Sequence, residues 1–195
     1  MEGTVEKDPK RRLLDTVIDY VARHGTSDLT LRGLASAIGT SHRMLIYHFG
    51  SREGLLTEVI QTVEARERRA LADLVRELDD KAPEEAIRLF WRQLTDPARL
   101  PQKRLYFEMY GQALQGRPGT THLLDGAIEA WLEPLAEWSR RAGLPPEKAQ
   151  ANARLGLAVA RGLVLDLLHT GDRRAVEAAV EHFLDLVMRD IRPEA

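Results

Sequence analysis

The sequence predicts an all-α protein with a small N-terminal domain and a larger helical C-terminal domain. Apolar residues recur at helical spacing along the whole chain, and no stretch of useful length alternates apolar with polar residues as a strand would. Prolines and glycines mark most of the breaks between the periodic segments. These observations predict about nine helices. We place the N-terminal domain at residues 1–50 and the C-terminal domain at 51–195.

The composition is typical of a globular protein. Of the 195 residues, 44% are hydrophobic and 30% are charged. The absence of cysteine excludes disulfides, thiolate metal sites and cysteine nucleophiles. The sequence contains no run of about 18 apolar residues, so no membrane-spanning helix is predicted. The charged start MEGTVEKDPKRR does not look like a signal peptide. We therefore expect a cytoplasmic protein.

The first fifty residues carry signals for three consecutive helices. Proline suits the first turn of a helix, so Pro9 can begin the first one. Thr30 can cap a short second helix that Gly39 ends, and either Thr40 or Ser41 can cap a third. The predicted helices lie at about 9–24, 31–38 and 42–48.

A long fourth helix and five shorter segments are predicted in the rest of the chain. Ser51 can cap the fourth helix, and Glu53 lies favourably near its positive end. Its apolar pattern continues to about residue 79. The further helices are predicted at 84–95, 102–114, from the loop at 116–119 to about 142, 147–169 and 173–191.

Charge is distributed unevenly between the two predicted domains. The net charge of the chain is −2, but residues 10–52 contain seven basic and three acidic side chains. This segment therefore carries +4, and the remainder carries −6. Such an asymmetry indicates a basic interaction surface near the N-terminus.

The third predicted helix has two faces of very different character. On a helical wheel Leu45 and Phe49 share one side, whereas Arg43 and Tyr47 point nearly opposite. An outward guanidinium beside apolar and aromatic groups suits base edges, thymine methyls and phosphates in a major groove. Together with the tight turn at 39–41, this face predicts a helix-turn-helix that reads DNA. The alternative is an ordinary three-helix cluster whose third helix is merely amphipathic.

Residues 29–56 resemble the DNA-binding domain of the TetR (tetracycline-repressor-like) family of bacterial transcriptional regulators. One position departs from the family pattern, because Ile46 stands where a tyrosine is usual, and Tyr47 is its neighbour. The positions that fit the pattern are Thr30, Leu31, Arg32, Leu34, Ala35, Gly39, Thr40, Ser41, Leu45, His48, Phe49, Ser51, Arg52, Glu53 and Leu55.

The resemblance and the helical wheel together predict a set of DNA-contacting residues. The resemblance implies that Thr30 and Arg32 contact phosphate at the start of the second helix, and that Arg52 holds a phosphate. It also implies that the third helix lies on or near the groove. The complete predicted set is Thr30, Arg32, Thr40, Ser41, His42, Arg43, Met44, Ile46, Tyr47, His48 and Arg52.

The last two predicted helices indicate a homodimer. The segment 153–171 is apolar around most of its axis, and one chain can cover only one side of such a helix. A second copy would cover the rest through a four-helix interface, as the family resemblance also implies. A two-fold dimer would present two third helices to successive major grooves of a pseudo-palindromic operator. The alternative is a monomer with a thick core.

Aromatic and soft apolar residues in the C-terminal domain predict a site for an apolar or amphipathic small molecule. Arg161, Asp166 and His169 could supply its polar groups, although Arg161 and Asp166 could equally form ion pairs across the dimer. The alternative is that these aromatic residues are simply core. The predicted lining residues are Phe90, Trp91, Leu94, Tyr106, Met109, Tyr110, Trp131, Leu135, Trp138, Arg161, Leu165 and His169.

The sequence thus predicts a ligand-responsive dimeric transcriptional regulator, acting as a repressor that a small molecule releases from its operator. The alternative is a DNA-binding dimer without a small-molecule effector, either constitutive or answering to a protein partner. We expect that the protein is not an enzyme, because its sequence contains no nucleotide-binding, zinc-protease or serine-hydrolase motif. We also expect no cofactor and no metal, since His42 and His48 do not have the spacing of a helical ligand pair.

Overall fold

The computed structural model describes residues 8–78, 81–117, 120–126 and 128–191, and these residues contain nine α-helices and no strand. Short 3₁₀ turns lie at Pro97–Arg99 and Thr121–Leu124. The all-α class predicted from the sequence is confirmed. The helices are α1 (Pro9–His24), α2 (Leu31–Ala37), α3 (His42–Phe49), α4 (Arg52–Leu78), α5 (Pro83–Leu94), α6 (Leu100–Leu114), α7 (Glu129–Arg141), α8 (Pro146–Thr170) and α9 (Arg173–Ile191).

Side-chain caps begin the two short helices near the N-terminus. The Thr30 hydroxyl accepts a hydrogen bond from the backbone N–H of Gly33 at 3.1 Å. The Ser41 hydroxyl accepts one from the N–H of Met44 at 3.1 Å. Each bond satisfies an N–H group that the first turn of a helix cannot pair internally. Ser41, and not Thr40, is therefore the residue that caps α3.

Two glycines mark the ends of α2 and α3. Gly39 has φ +71° in the turn after α2, and Gly50 has φ +75° directly after α3. Residues with a Cβ rarely adopt this left-handed region, so glycine suits both places. The N–H of Thr40 donates to the carbonyl of Ala35 at 2.9 Å and closes the turn. The turn between α2 and α3 is thus as short as the sequence predicts.

The described residues form two compact units. The first takes in the chain up to Ala65 together with Pro101–Asp125, and the second takes in Arg66–Leu100 together with the residues from Gly126 on. Helix α4 contributes to both units, and α6 belongs to the first almost entirely. The sequence places its domain boundary at residue 50, which is not where the compact units divide. A functional division at that residue stays a prediction.

The core of the first unit includes α6 as well as the four N-terminal helices. Val17 and Ile18 of α1, Leu45 of α3, and Leu105 and Met109 of α6 are buried in one hydrophobic cluster. Burial of such side chains stabilises a fold by about 1.5–3 kcal/mol each. The first unit is therefore incomplete without a helix that lies 35 residues beyond its N-terminal part along the chain.

The second unit is built from α5, α7, α8, α9 and the C-terminal part of α4. Leu132 and Ala136 of α7 are buried against Ala153 and Leu157 of α8. Helices α5 and α9 are joined at the surface by a bidentate ion pair, in which Arg88 Nη2 donates to Glu181 Oε2 at 2.8 Å and Arg88 Nε donates to Oε1 at 3.0 Å. The hydrogen bonds from Arg88 lower the pKa of Glu181. Within the described ranges, no helix is both long and apolar enough to span a bilayer.

Candidate nucleic-acid interface and ligand cavity

Helix α3 presents a polar and aromatic face to solvent while its other face is anchored in the core. Leu45 and Phe49 are buried, as the helical wheel predicts. Arg43 is exposed, and the Tyr47 side chain is 78% exposed. Met44 lies on the exposed side as well. Together with the exposed Ile46, Met44 and Tyr47 form a cluster of large apolar side chains beside an arginine, and such an exposed cluster is a candidate interaction surface.

The other residues of the predicted DNA-contact set also reach the surface. Thr40, His48 and Arg52 are half-buried. The remaining members are exposed, namely Thr30, Arg32, Ser41, His42, Arg43, Met44, Ile46 and Tyr47. The hydroxyls of Thr30 and Ser41 are already engaged as helix caps. A phosphate contact from either residue would have to share that oxygen or use the backbone.

Arg52 has a structural role that sequence reasoning missed. Its Nε donates to the carbonyl of Leu29 at 2.7 Å, and its Nη2 donates to the carbonyl of Thr26 at 3.0 Å. The guanidinium therefore fastens the loop between α1 and α2 to the start of α4. A planar fork of donors is suited to holding two carbonyl groups at once. The phosphate contact predicted for Arg52 stays a prediction.

The same loop is held from the other side by α6. The carboxylate of Glu108 accepts hydrogen bonds from the N–H of Thr26 at 3.0 Å and from the Thr26 hydroxyl. Gln112 Nε2 donates to the Thr26 hydroxyl oxygen at 3.0 Å. The sequence offers no signal for this cluster, because the two segments lie 82 residues apart.

Two charges near α3 are modified by their surroundings. Lys10 Nζ donates to Glu58 Oε1 at 2.7 Å, so its charge is paired on the protein. The pKa of Glu53 is lowered by a hydrogen bond from its own backbone N–H and then by the Ser51 hydroxyl. The basic character of the surface therefore depends on the exposed arginines, Arg32 and Arg43, more than on the total charge of the segment.

The second unit contains an apolar cavity of about 80 Å³ between α5, α7, α8 and α9. None of the described residues that line it is charged. Sites for small molecules are typically apolar with a few polar groups, which is the character of this lining. The lining residues are Ala86, Ile87, Phe90, Trp91, Leu135, Trp138, Ser139, Asn152, Ala153, Gly156, Val159, Ala160, Val180, Phe183 and Val187.

Four of the residues predicted for a ligand site line this cavity: Phe90, Trp91, Leu135 and Trp138. The other eight do not line it. Leu94 and Arg161 are half-buried elsewhere, and Leu165 and His169 are exposed.

The remaining four aromatic and soft residues pack in hydrophobic cores, which is the alternative the sequence left open. Met109 is buried in the core of the first unit, and Tyr106 and Tyr110 pack against that core. Trp131 packs against the α7–α8 cluster of the second unit. Helical spacing shows that these residues share an apolar face, but it does not show which element covers that face.

Sequence reasoning missed most of the wall that α8 and α9 contribute. Val180, Phe183 and Val187 of α9 line the cavity, and none of them is in the predicted ligand set. Gly156 was not singled out, although a glycine inside a helix is a signal of close packing or open space. A Cβ added at Gly156 would meet nothing within 4 Å. The small residue helps to leave the cavity open.

Two polar side chains, Ser139 and Asn152, belong to the cavity lining. The Ser139 hydroxyl donates to the carbonyl of Leu135 at 2.9 Å, and Asn152 Nδ2 donates to the Ser139 hydroxyl oxygen at 3.2 Å. Trp91 is 7% exposed. Its indole N–H is buried and meets no acceptor among the residues that the structure describes. This nitrogen has essentially no surface that a molecule in the cavity could touch.

Leucines on the outer faces of α8 and α9 are exposed. Leu155 and Leu165 on α8 are 56% and 53% exposed, and Leu186 on α9 is exposed as well. Between the first two, the exposed residues Ala158 and Gly162 continue the same row at helical spacing. Small residues in such a row permit close approach of another helix. This apolar row lies on the helix that the sequence shows to be apolar nearly all round.

Comparison with known proteins identifies the N-terminal segment. Residues 13–59 match the family model described as bacterial regulatory proteins, tetR family. The matched segment contains α2, α3 and the start of α4, including the predicted helix-turn-helix. No curated protein matches the chain significantly.

Solved structures share the fold along nearly the whole chain. A transcriptional regulator from Rhodococcus sp. Rha1 is 20% identical, has a TM-score of 0.78, and matches over 95% of this chain and 100% of its own. A TetR transcriptional regulator from Legionella pneumophila is 19% identical with a TM-score of 0.71 over 94% and 98%. A putative transcriptional regulator from Saccharomonospora viridis, solved in complex with choline, is 22% identical with a TM-score of 0.73 over 93% and 96%.

Proposed function

We propose that this chain, whose residues 13–59 match the tetR family of bacterial regulatory proteins, belongs to that family and is a homodimeric repressor that binds a pseudo-palindromic operator and is released by a small molecule. The observation that carries the proposal is the exposure of Arg43, Met44 and Tyr47 on a helix anchored by Leu45 and Phe49. Arginine bidentate to guanine is the commonest specific contact in a major groove. Members of this family are regulators and not enzymes.

The exposed leucines on α8 and α9 support the homodimer. Leu155, Leu165 and Leu186 are large apolar side chains with nothing from their own chain to cover them fully. An isologous interface would contain two buried copies of each leucine, one from each protomer. A dimer of this kind would bring two α3 helices to half-sites about 34–36 Å apart, one turn of DNA. Acting on bacterial DNA, the protein would work in the cytoplasm.

The cavity of the second unit supports the response to a small molecule. It is apolar, it carries the polar side chains of Ser139 and Asn152, and four different helices line it. The Saccharomonospora relative with the same fold was solved with choline bound. For a ligand to release DNA, its affinity must differ between the free and the operator-bound protein. DNA must then weaken ligand binding by the same factor.

A second candidate is a DNA-binding dimer that has no small-molecule effector and acts constitutively or with a protein partner. Its DNA-binding surface would be the same. The apolar cavity lined by α5, α7, α8 and α9 favours the ligand-responsive regulator, because sites for small molecules are typically cavities of this character.

Selection of bound sequences from random DNA duplexes tests the proposal. We expect a pseudo-palindromic consensus bound by two protomers, with half-sites one helical turn apart. A compound screen on the purified complex should then find molecules that release the duplex. Failure to bind any duplex at low ionic strength would overturn the DNA-binding function. A complex that no compound releases, whose protein also shows no melting shift with any compound, would favour the second candidate.

A further inference from the structure

We propose that Met44 and Ile46 recognise thymine methyl groups in the operator, so that each half-site contains thymines at two different base pairs beneath α3. The inference rests on the proposed function, because it takes the exposed face of α3 as the surface that reads DNA. It adds the identity of the bases that this face selects. Three features carry it: the exposure of the two side chains, their apolar chemistry, and their positions on the helix.

Met44 and Ile46 are exposed on a helix whose own position is fixed. They are 42% and 39% exposed, whereas Leu45 between them is fully buried. The Ser41 hydroxyl accepts a hydrogen bond from the N–H of Met44 at 3.1 Å, and the N–H of Gly50 donates to the carbonyl of Ile46 at 2.8 Å. The two side chains are therefore held at defined places on the outer surface, where a bound duplex would cover them.

The charges around these two side chains favour a polyanion as the partner. Arg43 is exposed and points between Met44 and Ile46 on the helical wheel, and Arg32 at the start of α2 is exposed as well. Residues 10–52 carry a net charge of +4. A purely apolar partner would remove these guanidinium groups from water without a counter-charge, whereas a duplex supplies phosphates.

The thymine methyl is the apolar group that a major groove offers. Guanine, adenine and cytosine present acceptors and amino donors there, and only thymine adds a methyl group, at C5. Ile46 has no polar side-chain atom, and the Met44 sulfur is only a weak acceptor. Placed over a polar base edge, such a side chain would displace water without replacing its hydrogen bonds. Placed over a thymine methyl, it buries apolar surface on both partners, which is favourable.

The other exposed side chains of α3 do not select thymine in this way. The Tyr47 ring lies edge-on to His48, with the ring centroids 5.0 Å apart. The Tyr47 hydroxyl can bind a phosphate as well as a base, so its exposure selects no base. The guanidinium of Arg43 prefers guanine. Selection of methyl groups therefore falls to Met44 and Ile46.

The positions of Met44 and Ile46 separate the two contacts. At 100° per residue they lie about 160° apart around the helix axis, on the two flanks of Tyr47. A helix with its side chains is about 10–12 Å across, and successive bases of a strand are about 3.4 Å apart. Side chains on opposite flanks are therefore too far apart to cover the same methyl group, so they require thymines at different base pairs.

Replacement of thymine by uracil tests this readout at the level of single methyl groups. The operator is first selected from random duplexes with the full-length protein. Each A·T pair of the half-sites is then replaced in turn by A·U, which removes one methyl and keeps every hydrogen-bonding group. At two positions in each half-site we expect mobility-shift titrations to show an affinity about fourfold lower per methyl removed. This factor corresponds to about 0.8 kcal/mol, the value of one buried CH₂ group. Uracil outside the half-sites should leave the affinity unchanged.

Two matched variants assign each methyl group to its side chain. Met44→Gln and Ile46→Gln replace an exposed apolar side chain by an amide, and melting temperatures establish that both variants are folded. In Met44→Gln the loss caused by uracil should disappear at one of the two positions and persist at the other, and Ile46→Gln should show the reverse. Arg43→Ala is the control, since it should weaken binding to the thymine and uracil duplexes by the same factor. The uracil scan of the native protein depends on none of these variants.

The inference is overturned if fewer than two positions in a half-site lose affinity on replacement by uracil, which includes half-sites without thymine. It is also overturned if Met44→Gln and Ile46→Gln keep the native ratio of thymine to uracil affinity at every position. In both cases the protein still binds a selected operator, so the proposed DNA-binding function stands. Failure to select any duplex overturns the proposed function and this inference together.

Discussion

Glu108 on α6 accepts hydrogen bonds from both the backbone N–H and the hydroxyl of Thr26, which lies in the loop between α1 and α2. Thr26 is only 1% exposed, so both donors would be unsatisfied without the carboxylate. Gln112, one turn further along α6, donates to the same hydroxyl at 3.0 Å. Helix α6 thus holds the N-terminal unit by polar contacts as well as by its buried apolar face.

Removal of the Glu108 carboxylate should destabilise the first unit. We expect Glu108→Ala to lower the free energy of unfolding by about 1–3 kcal/mol, because two buried donors lose their acceptor. Glu108→Gln should cost less, since its amide oxygen can still accept from Thr26. Urea denaturation measures both variants. An unchanged unfolding midpoint for Glu108→Ala would show that water replaces the carboxylate without loss.

Arg52 should stabilise the folded protein whether or not it also contacts DNA. Arg52→Ala removes the two hydrogen bonds to the carbonyls of Leu29 and Thr26. A hydrogen bond from a charged donor contributes about 1.5–3 kcal/mol to the free energy of unfolding, which is the upper limit of the loss expected for each bond. Arg52→Lys keeps the charge but not the planar fork, so it should recover only part of the loss. Thermal unfolding checks the ranking of the three proteins.

Salt dependence of binding then tests the phosphate contact predicted for Arg52. If that contact exists, Arg52→Ala should weaken all duplexes alike and flatten the dependence of affinity on salt concentration. If Arg52→Ala is as stable as the native protein and still has the flatter salt dependence, the guanidinium of Arg52 acts on phosphate rather than on the loop.

Arg43 should determine part of the sequence preference. Arg43→Ala is expected to cost about 1–3 kcal/mol on the selected operator and to relax the preference at one base position in each half-site. Arg23→Ala is a suitable control, because Arg23 is an exposed arginine on α1 whose Nε donates to the carbonyl of Asp19. Mobility-shift titrations on matched and altered operators measure both. Equal, small losses in the two variants would show that α3 does not read the bases through Arg43.

A charge in the apolar row of α8 should break the dimer. Leu165→Glu places a carboxylate in the proposed interface twice, and each buried leucine contributes about 1.5–3 kcal/mol. We expect dimerisation at least tenfold weaker and a corresponding loss of operator affinity.

Leu114 provides the matched control for that change. It is a leucine on α6 that is 66% exposed, against 53% for Leu165, and it lies outside the proposed interface. Leu114→Glu should leave the sedimentation mass unchanged. A dimer that persists in Leu165→Glu at micromolar concentration would place the interface elsewhere.

The site could be predicted from the sequence only where it depends on a single helix. The two faces of α3 follow from residue spacing, and Leu45 and Phe49 are indeed its buried residues. The cavity is lined by four helices, so four of the twelve predicted residues line it. Met109 illustrates the reason: its apolar face was recognised, but the core of the first unit covers that face.

The sequence by itself determined the all-α class, the positions of the helices and the outward face of α3. Caps, glycine turns and apolar periodicity act within a few residues of one another, so they are legible along the chain. Only the tertiary structure decided that Glu108 and Gln112 complete the N-terminal unit, that Arg52 holds its loop, and that the buried Trp91 donor meets no acceptor among the described residues. Those relationships join segments far apart in sequence, and periodicity shows that a face must be covered without showing what covers it.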